Sequence, residues 1–105
     1  MTQSPTLTRS FVVKLTAKHD TADEVAAFLG DAVQLADDED GTIVWYALRS
    51  DPTTFWIVDA FASETDRQAH INGPIAAALM SNAERLLASP PEILPADVLA
   101  AKLPA

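Results

Sequence analysis

Apolar and polar residues alternate near the start of the chain. Phe11, Val13, Leu15 and Ala17 carry the apolar positions, and Lys14 and Thr16 lie between them. A period of two residues is typical of a strand with one strongly apolar face. We therefore predict a first strand over residues 11–17.

A helical pattern follows this strand. Apolar residues recur at steps of three and four: Val25, Phe28, Leu29, Ala32, Val33 and Ala36. Thr21 to Glu24 matches a capping box, which predicts that the helix begins there. Four acids, Asp37 to Asp40, lie where the helix dipole opposes them, so we expect the helix to end before or within this run, with Gly41 completing the stop. The run lacks the spaced oxygens of a calcium loop, and we interpret it as a solvated acidic turn without function.

Two continuous apolar runs come next. Thr42 to Leu48 reads TIVWYAL and Phe55 to Ala62 reads FWIVDAFA, with a polar, proline-containing turn between them. The pattern predicts a hairpin of two strands. Because neither run alternates cleanly, we expect both faces of these strands to be buried.

The second helical pattern begins at Ser63, where Ser63 to Asp66 resembles a capping box. Its apolar stripe comprises Ile71, Ile75, Leu79, Ala83, Leu86 and Leu87. Gly73 and Pro74 interrupt it, so a short helix should end near Asn72 and a longer one restart at Pro74. After Pro90 and Pro91, residues 92–103 are predicted to supply a last strand despite Pro95.

The order strand, helix, strand, strand, helix, strand predicts an α+β, ferredoxin-like βαββαβ fold. Its antiparallel four-stranded sheet would carry two helices on one face. We expect a flexible N-terminal lead-in over residues 1–10 and a single domain over residues 11–105. Because two helices cover only one sheet face, we predict a homodimer through the other faces.

Composition narrows the possible partners. The 105 residues include seven Lys and Arg against fifteen Asp and Glu, a formal charge of -8. Such a field repels phosphate backbones and anionic lipids, so we expect no nucleic acid and no membrane partner. The absence of Cys excludes disulfides and thiolate chemistry. With no segment of about 20 continuous apolar residues, we expect a soluble, cytoplasmic protein.

Two titratable residues are candidates for chemistry. Asp59 lies within an apolar strand, where it would act as a base or substrate anchor, or as a structural carboxylate bonded to a neighbouring element. His70 precedes the helix restart at Pro74, whose free N–H groups favour negative charge. It would exchange a proton with a substrate or be a satisfied histidine at the rim of the apolar stripe. We interpret His19 as a surface residue.

Several kinds of site are not supported. The two histidines share no metal-binding spacing, so we predict no metal. No glycine-rich nucleotide motif and no nucleophile elbow is present. Aromatic residues, among them Trp45, Tyr46 and Trp56, are mostly expected in the core. A slot for a flat ligand, closed by Leu79 and Met80, could remain between sheet and helices and end at His70 and Asp59.

These stretches resemble the antibiotic biosynthesis monooxygenase family from Phe11 to about Leu103. Glu39 to Tyr46 resembles its Glu-Pro-Gly-x-x-x-Tyr turn, and Asp51-Pro52 resembles its hairpin turn. Phe55 to Asn72 resembles its third strand with an acid, followed by Ser-x-x-x-x-x-x-His on the helix. The family's usual glutamate in that strand is Asp59 here.

The resemblance implies a dimeric α/β barrel that inserts oxygen without flavin, metal or nicotinamide. The partners would be dioxygen and a small aromatic substrate, an electron-rich phenol or hydroquinone that becomes a quinone. His70 would be the catalytic base and Asp59 its orienter, with Tyr46, Trp45, Trp56 and Asn72 binding the substrate. The heme-degrading branch is not supported, because its first-strand asparagine is missing here.

Fold alone leaves other functions open. The alternatives are a non-catalytic dimeric barrel that binds small molecules or serves a stress response, and an isomerase that consumes no oxygen.

Overall fold

The computed structural model describes residues 6–104 and contains one antiparallel sheet with helices on one face. Its elements are β1 (Arg9–Thr16), α1 (Ala22–Asp37), β2 (Val44–Asp51), β3 (Thr54–Phe61), α2 (Glu64–Ile71), α3 (Pro74–Leu86) and β4 (Glu92–Asp97). The strand order is β2-β3-β1-β4. The predicted α+β ferredoxin-like fold is confirmed, and the predicted break at Pro74 divides the second helical segment into α2 and α3.

The predicted lead-in falls partly outside the described residues, because the structure describes nothing before residue 6. Arg9 and Ser10, which the sequence pattern assigned to the lead-in, are the first residues of β1. The part of the chain that the structure describes contains no helix long and apolar enough to cross a membrane.

The core lies between the helices and one face of the sheet. The strand register pairs Phe11 with Asp59, Val13 with Ile57, and Leu15 with Phe55, so these side chains share a face. They pack against residues of α1 and α3, including Val25, Leu29, Leu79 and Leu86. Asp59 is the carboxylate within this apolar layer, and it is 1% exposed.

The helix ends show which capping predictions hold. Ser63 caps α2, because its hydroxyl accepts from the backbone N–H of Asp66 at 3.1 Å. The capping box predicted at Thr21 is wrong, although α1 begins directly after it. The Thr21 hydroxyl instead donates to the carbonyl of Leu86 at 2.7 Å, which ties the start of α1 to the end of α3.

The opposite sheet face is open in a single chain. Tyr46, Leu48 and Leu94 project from it with 56%, 51% and 57% of their surface exposed. The expectation that both faces of the hairpin are buried therefore fails for β2 within one chain. The continuous apolar sequence alone does not tell which face the chain's own helices cover.

The two edge strands are irregular. In β2, the register with β3 shifts between Arg49 and Asp51. In β4, Pro95 lies opposite Phe11 of β1. The predicted last strand is confirmed, but it ends at Asp97.

Candidate active site

His70 lies in the last turn of α2 and is 6% exposed. Its two ring nitrogens each face a carboxylate. Nδ1 lies 2.5 Å from Glu39 Oε1, and Nε2 lies 3.2 Å from Asp59 Oδ2. The imidazole therefore bridges the loop after α1 and strand β3.

Asp59 is held rigidly by the sheet. Its Oδ1 accepts a hydrogen bond from the backbone N–H of Phe11 at 2.7 Å, while Oδ2 faces His70. The Ser10 hydroxyl donates to the Asp59 carbonyl at 2.6 Å. The Asp59 carboxylate is thus bonded to the backbone, as a structural residue would be. It also lies where it can orient His70.

Glu39 is the site residue that the sequence analysis missed. The interpretation of residues 37–40 as a solvated turn is wrong for this residue, whose side chain is only 17% exposed. The Thr42 hydroxyl donates to Glu39 Oε1 at 2.7 Å, the same oxygen that faces His70. The available signal was that Glu39 opens the family-like turn, whereas its three acidic neighbours are exposed.

Burial and the neighbouring carboxylates shift the pKa of His70 in opposite directions. Burial lowers the pKa of His70, but the hydrogen bonds to Asp59 and Glu39, together with their negative charges, raise it more. The pKa of His70 therefore lies above its usual 6.5. The site favours an imidazolium between two carboxylates.

An apolar cavity begins at this pair of residues. It has a volume of about 30 Å³ and lies between the sheet and the helices, next to Asp59 and His70. Its other walls include Phe11, Trp45, Ile57, Ile75, Leu79 and Met80. The slot predicted between Leu79, Met80, His70 and Asp59 is present, but at this volume it holds about one water molecule.

The predicted substrate-binding residues are not brought together. Trp45 lies opposite Asp59 in the sheet and lines the cavity. Tyr46 is one residue from Trp45 along β2, and Trp56 is three residues from Asp59 along β3. Because successive side chains of a strand point to opposite faces, Tyr46 and Trp56 lie on the open face. Asn72 is an exposed residue at the end of α2. For these three residues, substrate binding stays a prediction that the geometry of one chain does not support.

Within residues 6–104, no group of three or more potential ligands is arranged to hold a metal ion. His19 is exposed, as the sequence predicts for a surface residue.

Comparison with known proteins gives a consistent family and fold. A family model described as antibiotic biosynthesis monooxygenase matches residues 9–81. The crystal structure of NE2512, a protein of unknown function from Nitrosomonas europaea, is 50% identical with a TM-score of 0.93, and the match covers 97% of this chain and 99% of that one. No match is found among the curated proteins.

More distant structures share the fold. Rv0793 from Mycobacterium tuberculosis is 15% identical with a TM-score of 0.79, over 90% of this chain and 97% of that one. PA3566 from Pseudomonas aeruginosa is 18% identical with a TM-score of 0.76, over 93% of this chain and 100% of that one.

Proposed function

The chain belongs to the antibiotic biosynthesis monooxygenase family, and we propose that it is a monooxygenase that works without a cofactor. The proposed substrate is an electron-rich phenol or hydroquinone, which dioxygen oxidises to a quinone. The observation that carries this proposal is the buried His70, oriented by Asp59 and Glu39 at the end of an apolar cavity.

The reaction needs no external reductant. For a phenol with hydrogen on the carbon para to the hydroxyl, or a hydroquinone with hydrogen on the carbon ortho to it, one atom of dioxygen becomes the new quinone carbonyl and the other leaves as water. Loss of the phenolic proton makes the ring electron-rich enough to transfer an electron to dioxygen. The resulting radical pair combines into a carbon-bound peroxide anion, which takes up the proton held by His70 and becomes a hydroperoxide. The proton on that carbon then passes to His70, so that the carbonyl forms as the O–O bond breaks and hydroxide leaves.

His70 would move the protons in this sequence. A phenol that enters beside Nε2 would displace the longer of the two carboxylate contacts of His70, the 3.2 Å contact with Asp59. Nδ1 of the neutral imidazole then donates to Glu39, and Nε2 accepts the phenolic proton. The imidazolium that forms is stabilised by Glu39 and Asp59, and it balances the charge of the phenolate. It then returns the proton to the hydroxide that leaves the peroxide. Asp59 acts as a positioning residue, because its other oxygen is held by the Phe11 N–H.

The apolar walls would protect the anion from water. Electrostatic interactions are stronger where water is excluded, so the imidazolium stabilises a phenolate more in this cavity than at the surface. At its present volume the cavity holds about one water molecule, so a phenol enters only when a wall residue moves.

A homodimer is part of the proposal. Two copies of the open face, with Tyr46, Leu48 and Leu94 at its surface, would bury these side chains against each other. Family membership and the exposed apolar face support this arrangement.

Oxygen uptake tests the enzyme proposal. We expect the wild-type protein to consume oxygen with a panel of hydroquinones and anthrone-like phenols, and His70→Ala and His70→Asn to lose about 100-fold in rate, as removal of a general base does. His19→Ala removes an exposed histidine and serves as the control. Circular dichroism checks that each variant is folded. A wild-type rate equal to that of buffer would overturn the proposal.

The non-catalytic alternative is favoured by one observation. The cavity of about 30 Å³ is smaller than any phenol, as expected for a closed core with a structural histidine. A small-molecule-binding or stress-response barrel would bind aromatic ligands without oxygen uptake, so the same experiment separates the two functions.

A further inference from the structure

The inner cavity beside His70 and Asp59 must open before any aromatic molecule can reach these residues. At about 30 Å³ it is far below the several hundred Å³ of ordinary ligand sites. The wall residue that moves must expose little additional apolar surface, because exposing buried apolar surface to water costs free energy.

Met80 meets this requirement. It lines the inner cavity from α3, yet 58% of its surface is exposed. Other walls are far more buried, including Ile75 at 3%, Ile57 at 4% and Leu79 at 7%. Methionine is also unbranched and adapts its shape readily. Its displacement would therefore cost less than that of these neighbours.

Met80 also borders an outer groove. This groove has a volume of about 530 Å³ and a mainly apolar lining, which includes Lys18, Ala83, Leu87, Pro90 and Pro91. The same side chain thus lies between an open groove of ligand size and the closed cavity that contains Asp59 and His70.

Trp45 is the competing wall. It borders the inner cavity and a different groove of about 450 Å³ near Val33 and Tyr46. However, its indole packs against both groups of core residues, so its movement would expose much more apolar surface than that of Met80.

We propose that Met80 is the gate through which a flat aromatic ligand passes from the outer groove into the inner cavity. The ligand class is a planar aromatic molecule that carries a hydroxyl or carbonyl oxygen. This inference rests on the proposed function for its choice of ligand.

The inner cavity offers partners for such an oxygen. His70 and Asp59 form its polar end. A ligand oxygen in the cavity would share a hydrogen bond with His70, while the aromatic ring contacts the apolar walls.

The test uses 2-naphthol as the probe. The chain contains two methionines, Met1 and Met80, so NMR of protein labelled with ¹³C-methyl methionine gives a direct signal from the gate. We expect the Met80 methyl resonance to shift in a saturable way during titration, and Met80→Leu to identify this resonance by removing it. A Met80 resonance that does not move at millimolar 2-naphthol would overturn the proposal.

Association kinetics test the gate itself. In stopped-flow measurements of 2-naphthol fluorescence, we expect Met80→Ala to raise the association rate about tenfold and the bulkier Met80→Phe to lower it about tenfold, since a gate limits entry. Leu99→Ala removes an apolar side chain that is 96% exposed and lies outside both spaces, so its rate should equal the wild-type rate. Equal rates in all Met80 variants would overturn the gate, as would rates that respond to Val33→Ala instead.

The two proposals fail separately. Binding of 2-naphthol with the expected Met80 response, but without oxygen uptake by any phenol, overturns the enzyme proposal and leaves the gate. Oxygen uptake that is insensitive to Met80→Ala and Met80→Phe overturns the gate and leaves the enzyme.

Discussion

Asp59 and Glu39 hold the same imidazole, but they are anchored differently. Asp59 belongs to a central strand and is fixed by a backbone N–H, whereas Glu39 belongs to a loop and is fixed by the Thr42 hydroxyl. The second oxygen of Glu39 is buried without a hydrogen-bond partner among residues 6–104. Asp59 is therefore suited to orient His70, and Glu39 adds negative charge that favours the protonated form of His70.

Glu39→Gln should weaken the protein most where His70 is protonated. Because the pKa of folded His70 is raised, this protonation contributes stability that is fully present below about pH 6.5 and is lost as pH rises through the folded pKa. We expect Glu39→Gln to lower the free energy of unfolding by about 1–2 kcal/mol at pH 6, with a smaller loss at alkaline pH.

Urea unfolding across this pH range measures the difference. Asp38→Asn removes the same charge from the neighbouring exposed position and is the matched control. A loss in Glu39→Gln that is independent of pH, or an equal loss in Asp38→Asn, would contradict the role given to Glu39.

The same variant makes a prediction about activity. If neutral His70 is the base, the rate of oxygen uptake rises with pH through the pKa of His70. Glu39→Gln removes one of the charges that raise this pKa, so the rise should move to lower pH. A pH–rate profile that Glu39→Gln leaves in place would show that another group controls the reaction.

At the scale of elements, the site depends on how the loop over residues 38–43 lies on α2. Gly41 permits this contact, because a Cβ atom there would lie 2.6 Å from Asp66 Oδ1 and 2.9 Å from Asp66 Cβ. The loop can therefore approach the first turn of α2 closely enough for Glu39 to reach His70 in the last turn.

Gly41→Ala should push the loop away from α2. We expect a loss of about 1–3 kcal/mol in the free energy of unfolding, since an added methyl group forces a shift of packed atoms. Gly30→Ala is the matched control, because Gly30 lies in α1 with nothing within 4 Å of an added Cβ. It should stabilise the protein by about 0.5–1 kcal/mol through helix propensity. Thermal unfolding of both variants checks the opposite signs, and equal signs would contradict the argument.

Local patterns predicted the elements better than the contacts between them. The break at Pro74 and the cap at Ser63 depend on neighbouring residues, so the sequence was sufficient. The contact between Glu39 and His70 joins residues 31 positions apart, and an acidic run carries no sign of which acid turns inward. Trp56 and Asp59 are three positions apart in one strand, which places them on opposite faces, but the continuous apolar run concealed this separation.

The open sheet face is the surface through which the proposed dimer would form. Along this face, Tyr46, Val58, Val12 and Leu94 form one row across the four strands. The sequence indicated two apolar faces correctly for β3 but could not show that β2 and β4 leave large side chains exposed. A second copy that packs against this face would shield these side chains from water.

Leu48→Glu should prevent the proposed dimer. In one chain this side chain is 51% exposed, so the change should alter the stability of the monomer little, whereas a charge buried between two sheets is costly. We expect the wild-type protein to sediment as a dimer at micromolar concentration and Leu48→Glu as a monomer. Ala77→Glu, at an exposed position of α3, is the control and should remain dimeric. A monomeric wild-type protein would contradict the prediction.

The irregular edge strands limit how association can proceed. Pro95 lacks a backbone N–H, so a strand from another molecule could not form a complete ladder along β4. The register shift near Arg49 and Asp51 disturbs the β2 edge in a similar way. Growth by adding strands side by side, the route to fibres, is thereby hindered at both edges. The two edges therefore favour the proposed closed pair over an open-ended polymer.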